Sequence, residues 1–164
     1  MPETETLKSA RRDKRQGKAA STQAGEFVRE EMHHIREGKH GARSTKQAIA
    51  IGLSKARRTG VPLKPPEAGQ ASAETRSKAQ TDLKRGHSGR RVSPTRSRAV
   101  RDALRREGHA AASESSLARQ ARTTARRRGH RELSAAARKA VRTKGPGGLR
   151  AAGLKAARTR KGRG

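Results

Sequence analysis

Apolar side chains recur every three or four residues in the segment 21–37, which is the spacing of one face of an α-helix. Ser21 and Thr22 stand at its start as candidate N-caps, and Gly38 follows it as a stop signal. The pattern therefore predicts a helix with one apolar and one charged face. The apolar face carries Ala24, Phe27, Val28, Met32 and Ile35.

A second helix is predicted to begin at Ser44, because Ser44 and Gln47 have the spacing of a capping box. Gly60 stands where a C-terminal cap belongs, and three prolines follow it between residues 62 and 66. The two helices predict a hairpin over residues 21–60 whose apolar faces pack together, within one chain or across a homodimer. The apolar stripe of the second helix is Ala48, Ile49, Gly52, Leu53 and Ala56.

Two helices joined by a glycine-containing turn also fit a helix-turn-helix module, whose second helix enters the major groove of DNA. That alternative lacks a diagnostic turn and the third helix that normally completes such a core. Under either interpretation the solvent face of the second helix is basic and could meet phosphates without reading bases. The basic residues of this face are Lys46, Lys55, Arg57 and Arg58.

A degenerate 16-residue repeat occupies the C-terminal part of the chain, in three blocks that begin at Leu117, Leu133 and Leu149. In each block the fifth and ninth positions are small or apolar and the tenth and twelfth are basic, while Gly129 and Gly145 end the first two blocks. The leucine and the two small positions fall on one side of a helix of about three turns. Because so thin a stripe buries little and neighbouring arginines repel, we expect these helices to order on binding a polyanion.

Residues 93–108 predict a shorter helix ahead of the repeats, with Ser93 as N-cap, Pro94 in the first turn and Gly108 at the end. The same Ser-Pro-Thr-Arg start has the Ser-Pro-x-basic form, which resembles the minor-groove contact motifs of linker-histone tails. Both interpretations stay open, and the second makes Arg96 a candidate DNA contact.

The scarcity of large apolar residues limits how much of the chain can fold by itself. Leu, Val, Ile and Phe together make 18 of 164 residues, about 11%, whereas a highly charged chain below roughly 20% is expected to be disordered. The expected fold class is all-α, with a small N-terminal helical hairpin and a largely disordered basic tail whose short helices order on binding a polyanion. The expected regions are a disordered basic segment 1–20, the hairpin 21–60, a Pro/Gly/Ser-containing linker 61–92 and the tail 93–164.

The net charge of +28 is concentrated near the C-terminus. Residues 93–164 hold 21 basic side chains against 4 acidic ones, and from Leu117 onward Glu132 is the single acid. Such asymmetry is typical of an arm that binds a polyanion, although a solvated tail with weak affinity for every polyanion would look the same. The predicted phosphate contacts in the tail are Arg119, Arg122, Arg126, Arg127, Arg128, Arg138, Lys139, Arg142, Lys144, Arg158 and Arg160.

Three histidines and three glutamates fall between residues 30 and 40, which raises the question of a metal site. His33 and His34 are adjacent and so point to different sides of a helix, and the His-Glu-x-x-His spacing of zinc enzymes is absent. Glu30 with His34, and His33 with Glu37, are i,i+4 neighbours, which favours a solvated polar face. We therefore predict no metal site and no cofactor.

The residue types that catalysis needs form no recognisable set in this sequence. No convincing Ser/His/Asp group exists, cysteine is absent, and the glycine-rich run 145–148 lacks the Lys-Ser/Thr ending of a phosphate loop and favours a hinge. We predict a non-enzyme with no small-molecule substrate. Phe27 is the only Phe, Tyr or Trp residue, which argues against single-strand readers that stack bases on aromatic rings. No apolar run approaches a membrane span and no signal peptide is evident, so we expect no integral membrane association.

The stretch 21–61, reading STQAGEFVREEMHHIREGKHGARSTKQAIAIGLSKARRTGV, resembles a bacterial family of small basic proteins of unknown function, sometimes labelled DNA-binding. In that family a helical head precedes an Ala/Arg/Lys-rich tail. The match covers about a quarter of the chain. The tail is similar in composition alone, both to this family and to linker-histone-like bacterial tails, from which it departs by favouring arginine. The resemblance implies a bacterial, cytoplasmic, nucleoid-associated protein and brings no catalytic residues.

The leading hypothesis is a nucleoid-associated, histone-like protein that neutralises DNA phosphates with its arginine-rich tail, largely without sequence specificity. RNA or ribosome association is the alternative, because arginine-rich helices also fold into structured RNA. Binding to an anionic membrane surface is a third hypothesis. It is the least favoured, since the apolar stripes are mostly alanine.

Overall fold

The computed structural model describes residues 2–88 and 93–162, and within them it contains helices and no strand. This confirms the all-α fold class. Met1, residues 89–92 at the end of the predicted linker, and residues 163–164 of the predicted tail lie outside the described part. The helices are α1 (Thr4–Arg15), α2 (Ala20–Arg36), α3 (Thr45–Arg58), α4 (Ala73–Ser88), α5 (Pro94–Arg105), a 3-10 turn (Ala110–Ala112) and α6 (Glu114–Lys161).

The predicted hairpin is present as α2 and α3, which pack against each other. Ser44 is the N-cap of α3, and its hydroxyl oxygen accepts a hydrogen bond from the Gln47 amide at 3.2 Å. The Gln47 side chain accepts from the Arg43 amide at 2.8 Å. The returning hydrogen bond therefore reaches one residue further back than in the usual capping box, and both bonds still satisfy orphan amides at the start of the helix.

Gly52 sets the close approach of the two hairpin helices. A Cβ atom at this position would lie 2.7 Å from the Val28 Cα and 3.0 Å from the Phe27 carbonyl oxygen. Backbone atoms at that distance leave no room for a side chain. Glycine is therefore required here by space, although its backbone conformation is an ordinary helical one.

Two hydrophobic clusters fill the hairpin, and each needs a segment from outside residues 21–60. Ala111 and Ala112 of the 3-10 turn complete the cluster around Ile35, with Leu117 packed beside them. Ala10 of α1 completes the cluster around Phe27, together with Val61. The apolar faces that a homodimer would have used are thus covered by the same chain.

Helix α4 lies against α3 in the region that the sequence marked as a linker. A Cβ atom at Gly86 would lie 2.1 Å from the Arg57 carbonyl oxygen, so the two backbones touch there. The Ser54 hydroxyl donates to Asp82 at 2.5 Å and fixes the crossing. Residues 73–88 are therefore part of the folded unit.

The loop between α2 and α3 is held by the end of α5. The Gly41 amide donates to the Leu104 carbonyl at 2.9 Å, and the Ala42 amide donates to the Gly108 carbonyl at 3.0 Å. A Cβ atom at Gly41 would overlap the Glu107 carbonyl oxygen. Glycine at this position is what lets the two segments hydrogen-bond backbone to backbone.

The expectation of disorder in segment 1–20, in the linker and in the tail is wrong, because each of these regions contains helix. The expectation counted large apolar residues, whereas alanine fills much of this core: Ala24, Ala48, Ala56 and Ala112 have no exposed surface. Alanine has the highest helix propensity and loses no side-chain entropy on burial. Helices that meet through alanine and glycine can pack closely with few large side chains.

Glycine breaks α6 into three helical segments, 114–128, 130–144 and 146–161. Gly129 has φ 70° and ψ 168°, and Gly145 has φ 63° and ψ 178°, which is a backbone region that glycine almost alone can occupy. Pro146 then opens the third segment at the position where a helix tolerates proline. The two breaks lie 16 residues apart, which is the spacing of the predicted repeat, and the second falls at the start of the predicted hinge 145–148.

The chain divides into two compact units, Met1–Gln120 and Ala121–Gly164, called here the head unit and the tail unit. This division lies beyond the predicted start of the tail at residue 93. The reason is that α5 and the 3-10 turn belong with the hairpin. Among the described residues, no helix combines the length and the apolar character needed to cross a bilayer.

Candidate nucleic-acid interface

Of the four basic residues predicted for the solvent face of α3, only Lys46 is exposed. Arg57 is buried, with 7% of its surface exposed, and donates to the Leu63 carbonyl at 3.1 Å and the Lys64 carbonyl at 3.4 Å. Burial lowers the pKa of the Arg57 guanidinium, and the charge of Asp82 opposes this shift. The prediction that Arg57 meets phosphates from the solvent face is wrong.

Lys55 and Arg58 are also held inside the head unit. The Lys55 ammonium lies 2.6 Å from a Glu31 carboxylate oxygen, and the Arg58 guanidinium lies 3.5 Å from Asp82 and 3.0 Å from the Ser54 hydroxyl. Both side chains are at least half-buried. Their basic character serves contacts between helices, so they leave the set of candidate phosphate contacts.

Helix α3 is too well covered to act as a recognition helix. Within Thr45–Arg58 only Lys46 and Ala50 are exposed, because α2, α4 and the 3-10 turn pack around the rest. A recognition helix needs several adjacent side chains that reach base edges. The helix-turn-helix alternative is therefore not supported by this fold.

The predicted contacts of the tail have the opposite environment, because every one of them is exposed. Arg96 on α5 is exposed as well. Glu132 is the single acidic side chain of the tail unit, whereas Arg96 and Arg119 belong to the head unit. The exposed candidate residues are Arg96, Arg119, Arg122, Arg126, Arg127, Arg128, Arg138, Lys139, Arg142, Lys144, Arg158 and Arg160.

The apolar stripe of the repeats remains largely outside any core. Leu133 is 41% exposed, Val141 51% and Leu149 38%, whereas Leu117, the first leucine of the repeat, packs against the Ile35 cluster. Leu117 thus belongs to the core of the head unit. Segments 130–144 and 146–161 gain little from burial and owe their helicity mainly to alanine and arginine propensity.

A buried ionic cluster lies between α2, α3 and the loop before α3, and we apply this name to Glu30, Glu31, His34, His40 and Lys55. Glu31 is fully buried. One of its oxygens lies 2.6 Å from the Lys55 ammonium, and the other lies 3.2 Å from Nε2 of His40. The Lys55 ammonium is also 3.5 Å from Glu30, whose side chain is 2% exposed.

The prediction of a solvated polar face on α2 is therefore correct for one of its two pairs and wrong for the other. The His33–Glu37 pair is exposed, with 2.9 Å between its charged atoms, whereas Glu30, Glu31 and His34 are buried. The sequence held a signal for this. Position 31 is one turn from both Phe27 and Ile35, so Glu31 lies on the apolar stripe and must face inward.

The N-terminus and the loop after α2 close over this cluster. His34 donates to the Glu3 carboxylate at 2.7 Å, and Lys39 donates to the same carboxylate at 3.1 Å. These two hydrogen bonds hold the pKa of Glu3 below its ordinary value of 4.5, and the one from His34 has the larger effect. A hydrogen bond from Lys39 likewise lowers the pKa of Glu37, and these carboxylates raise the pKa of Lys39.

Comparison with known proteins identifies no relative of this chain. No protein-family model, no curated protein and no solved structure matches it. The family resemblance of residues 21–61 stays a prediction, and the proposals below rest on the geometry and charge of the residues themselves.

Proposed function

We propose that this protein binds duplex DNA through its phosphates, largely without sequence specificity, using the exposed cations of the tail unit. One observation carries the proposal. The candidate arginines and lysines of the tail unit are all exposed, while Glu132 is the single acidic side chain in the sequence of this unit. Cations that the fold does not neutralise are available to a polyanion.

The charge density of the helices suits a nucleic-acid backbone. Helix α6 has 48 residues, which at 1.5 Å per residue amounts to about 70 Å of helix. The 15 basic residues in this range give about one cation per 5 Å of helix, compared with about one phosphate per 3.4 Å along a DNA strand. Bound phosphates would also remove the repulsion between Arg126, Arg127 and Arg128.

Low sequence specificity follows from the same arrangement. The covered helix α3 offers no row of side chains to the major groove, and phosphate contacts carry no sequence information. Arginine can still enter a narrow minor groove, so a preference for DNA shape is compatible with the proposal. This chemistry fits a histone-like, nucleoid-associated role.

The first test is fluorescence anisotropy of a labelled 30-base-pair duplex with the full chain over a series of salt concentrations. If about eight cations meet phosphates, the slope of log K against log salt is near −7. The proposal also predicts that structured RNA competes poorly and that anionic vesicles do not compete. Better competition by RNA or by vesicles would identify that competitor as the ligand of the tail unit and overturn the DNA proposal.

A matched pair of variants assigns the binding to the tail unit. Replacing Arg126, Arg127 and Arg128 with Gln removes three exposed cations and should make the salt slope shallower by about 2–3. The control replaces Arg11, Arg12 and Arg15 of α1, which are equally exposed, and removes the same charge. Equal effects of the two triple variants would contradict binding through the tail unit.

A further inference from the structure

The geometry points to a binding site for a divalent transition-metal ion of the Zn²⁺ class in the buried ionic cluster, with Glu31, His34 and His40 as its ligands. This site differs from the prediction of no metal site, which was based on His33, His34 and the missing His-Glu-x-x-His spacing. His40 lies in a loop, six residues after His34. One ligand atom from each of the three residues lies within 4.8 Å of the other two. All three belong to the head unit, so the site is separate from the proposed phosphate contacts of the tail unit.

The distance between two of the ligand atoms already fits a coordination shell. Nε2 of His40 lies 3.2 Å from Oε1 of Glu31. In a tetrahedral zinc site with bonds of about 2.0–2.2 Å, neighbouring ligand atoms are about 3.3–3.5 Å apart. The ligand atom of His34 lies within 4.8 Å of the other two, so His34 would move closer to them to complete the third corner.

The hydrogen bonds of His40 leave a position that a metal ion would fill. Nδ1 of His40 lies 3.0 Å from the Gly41 carbonyl oxygen, which can only accept, so Nδ1 carries the proton. Nε2 faces Oε1 of Glu31 at 3.2 Å, and in the ring form that carries its proton on Nδ1 alone it is free to bind a metal ion. A metal ion bound to both Nε2 of His40 and Oε1 of Glu31 would satisfy both atoms.

The buried Glu31 carboxylate also needs further compensation of its negative charge. It is completely buried, and neither oxygen has a hydrogen bond of acceptable geometry, although the Lys55 ammonium lies 2.6 Å from Oε2. A buried carboxylate requires full compensation of its charge. Glu30 adds a second buried carboxylate, so Lys55 alone leaves this pair of carboxylates with one excess negative charge, which favours the binding of a cation.

The surrounding groups are arranged like the outer shell of a metal site. Histidine ligands typically donate their second ring nitrogen to a carbonyl or carboxylate, which fixes the ring and its tautomer. His40 does so to Gly41, and His34 does so to Glu3 at 2.7 Å through Nε2, which leaves Nδ1 of His34 as the ligand atom. Lys55 holds Oε2 of Glu31 and so turns Oε1 toward the histidines.

The donor set selects the class of metal. Two imidazoles and one carboxylate suit Zn²⁺, Co²⁺, Ni²⁺ or Cu²⁺, whereas Mg²⁺ and Ca²⁺ prefer oxygen ligands alone. With ligands from α2 and from the loop before α3, the ion would join these two segments. Its role would be structural, because it would clamp the hairpin at the point where a buried carboxylate enters the core.

Cobalt titration of the metal-free full chain tests the site, because Co²⁺ bound by nitrogen and oxygen ligands gives visible absorption bands. We expect one equivalent to bind and to be displaced by Zn²⁺, with one Zn²⁺ per chain retained on dialysis as measured by elemental analysis. His40→Gln should weaken Co²⁺ binding at least about 10-fold, the low end for the loss of even an outer-shell partner. The matched control His33→Gln alters an exposed histidine and should leave the affinity unchanged.

A second measurement on the unaltered chain covers the case in which His40→Gln fails to fold. Imidazole NMR signals during a Zn²⁺ titration should shift for His34 and His40 and stay in place for His33, His109 and His130. Absence of stoichiometric binding, shifts at His33, His109 or His130 instead, or equal losses of affinity in the two variants would overturn the proposal. The cluster would then be an ion-pair network without a metal.

Discussion

Arg57 and Arg58 of the head unit have surroundings opposite to those of the predicted contact arginines of the tail unit. In the head unit Arg57 is buried against the Leu63 carbonyl and Arg58 is held by Asp82, whereas Arg126, Arg127 and Arg128 of the tail unit are exposed. The overall charge of +28 therefore overstates what the head unit can offer a polyanion. The partners of a basic residue in the fold, rather than its presence in the sequence, decide whether it is available to a ligand.

The structural role of glycine also differs between positions in the two units. Gly41, Gly52 and Gly86 allow backbones to touch in the head unit, where a Cβ atom would collide with a neighbouring segment. In the tail unit Gly129 and Gly145 have open space around them and a positive φ, so they act by breaking a helix. Glycine thus allows close packing at these three positions of the head unit and breaks a helix at these two positions of the tail unit.

The largest predicted difference between the units comes from removing one apolar side chain in each. Phe27 is 1% exposed in the head unit and Leu154 is 64% exposed in the tail unit. Phe27→Ala should lower the free energy of unfolding by about 3–5 kcal/mol, because it leaves a cavity. Leu154→Ala should change it by less than about 0.5 kcal/mol. Urea unfolding followed by circular dichroism measures both, and comparable losses would remove the distinction.

A smaller difference, of opposite sign, is expected for glycine-to-alanine substitutions within helices. Gly52→Ala places a Cβ 2.7 Å from the Val28 Cα and should destabilise the head unit by about 1–3 kcal/mol through overpacking. Gly153→Ala meets nothing within 4 Å and should favour its helix by up to about 1 kcal/mol. Thermal melting of each full-length variant gives the sign, and a stabilising Gly52→Ala would contradict the close helix approach.

The smallest predicted effect is the pH dependence of the Glu3 contact. Hydrogen bonds from His34 and Lys39 lower the pKa of Glu3 below 4.5, so its contribution to stability is present above that value and is lost as the pH falls through the folded-state pKa. Glu3→Gln should therefore be less stable than the unaltered chain at pH 7. The gap should shrink in urea unfolding below pH 4.5, and a gap that is constant with pH would show that the charge of Glu3 is not responsible.

Features set by neighbouring residues could be predicted from the sequence. The two hairpin helices follow from apolar periodicity, the start of α3 from Ser44 and Gln47, and the breaks in α6 from glycines 16 residues apart. Each of these signals acts over a few residues. The candidate cations of the repeats could also be placed on an exposed face, because no apolar neighbour was large enough to cover them.

Features that join distant segments could not be predicted in the same way. The position of Ala111 and Ala112 in the core, the burial of Arg57 and the approach of His40 to Glu31 depend on contacts between residues far apart in the chain. Periodicity within one helix carries no information about which segment covers it. Glu31 is the exception, because its place between Phe27 and Ile35 on one stripe was already visible.

We propose that binding to DNA depends on the tail unit and not on the charge of the head unit. The most direct measurement compares the full chain with a chain that ends at Gln120, the last residue of the head unit, in duplex anisotropy over the same salt series. Circular dichroism confirms that the shortened chain keeps its helices. We predict a slope near −7 for the full chain and a slope less than half as steep for the shortened one. An unchanged slope and affinity without residues 121–164 would contradict the account and place the interface in the head unit.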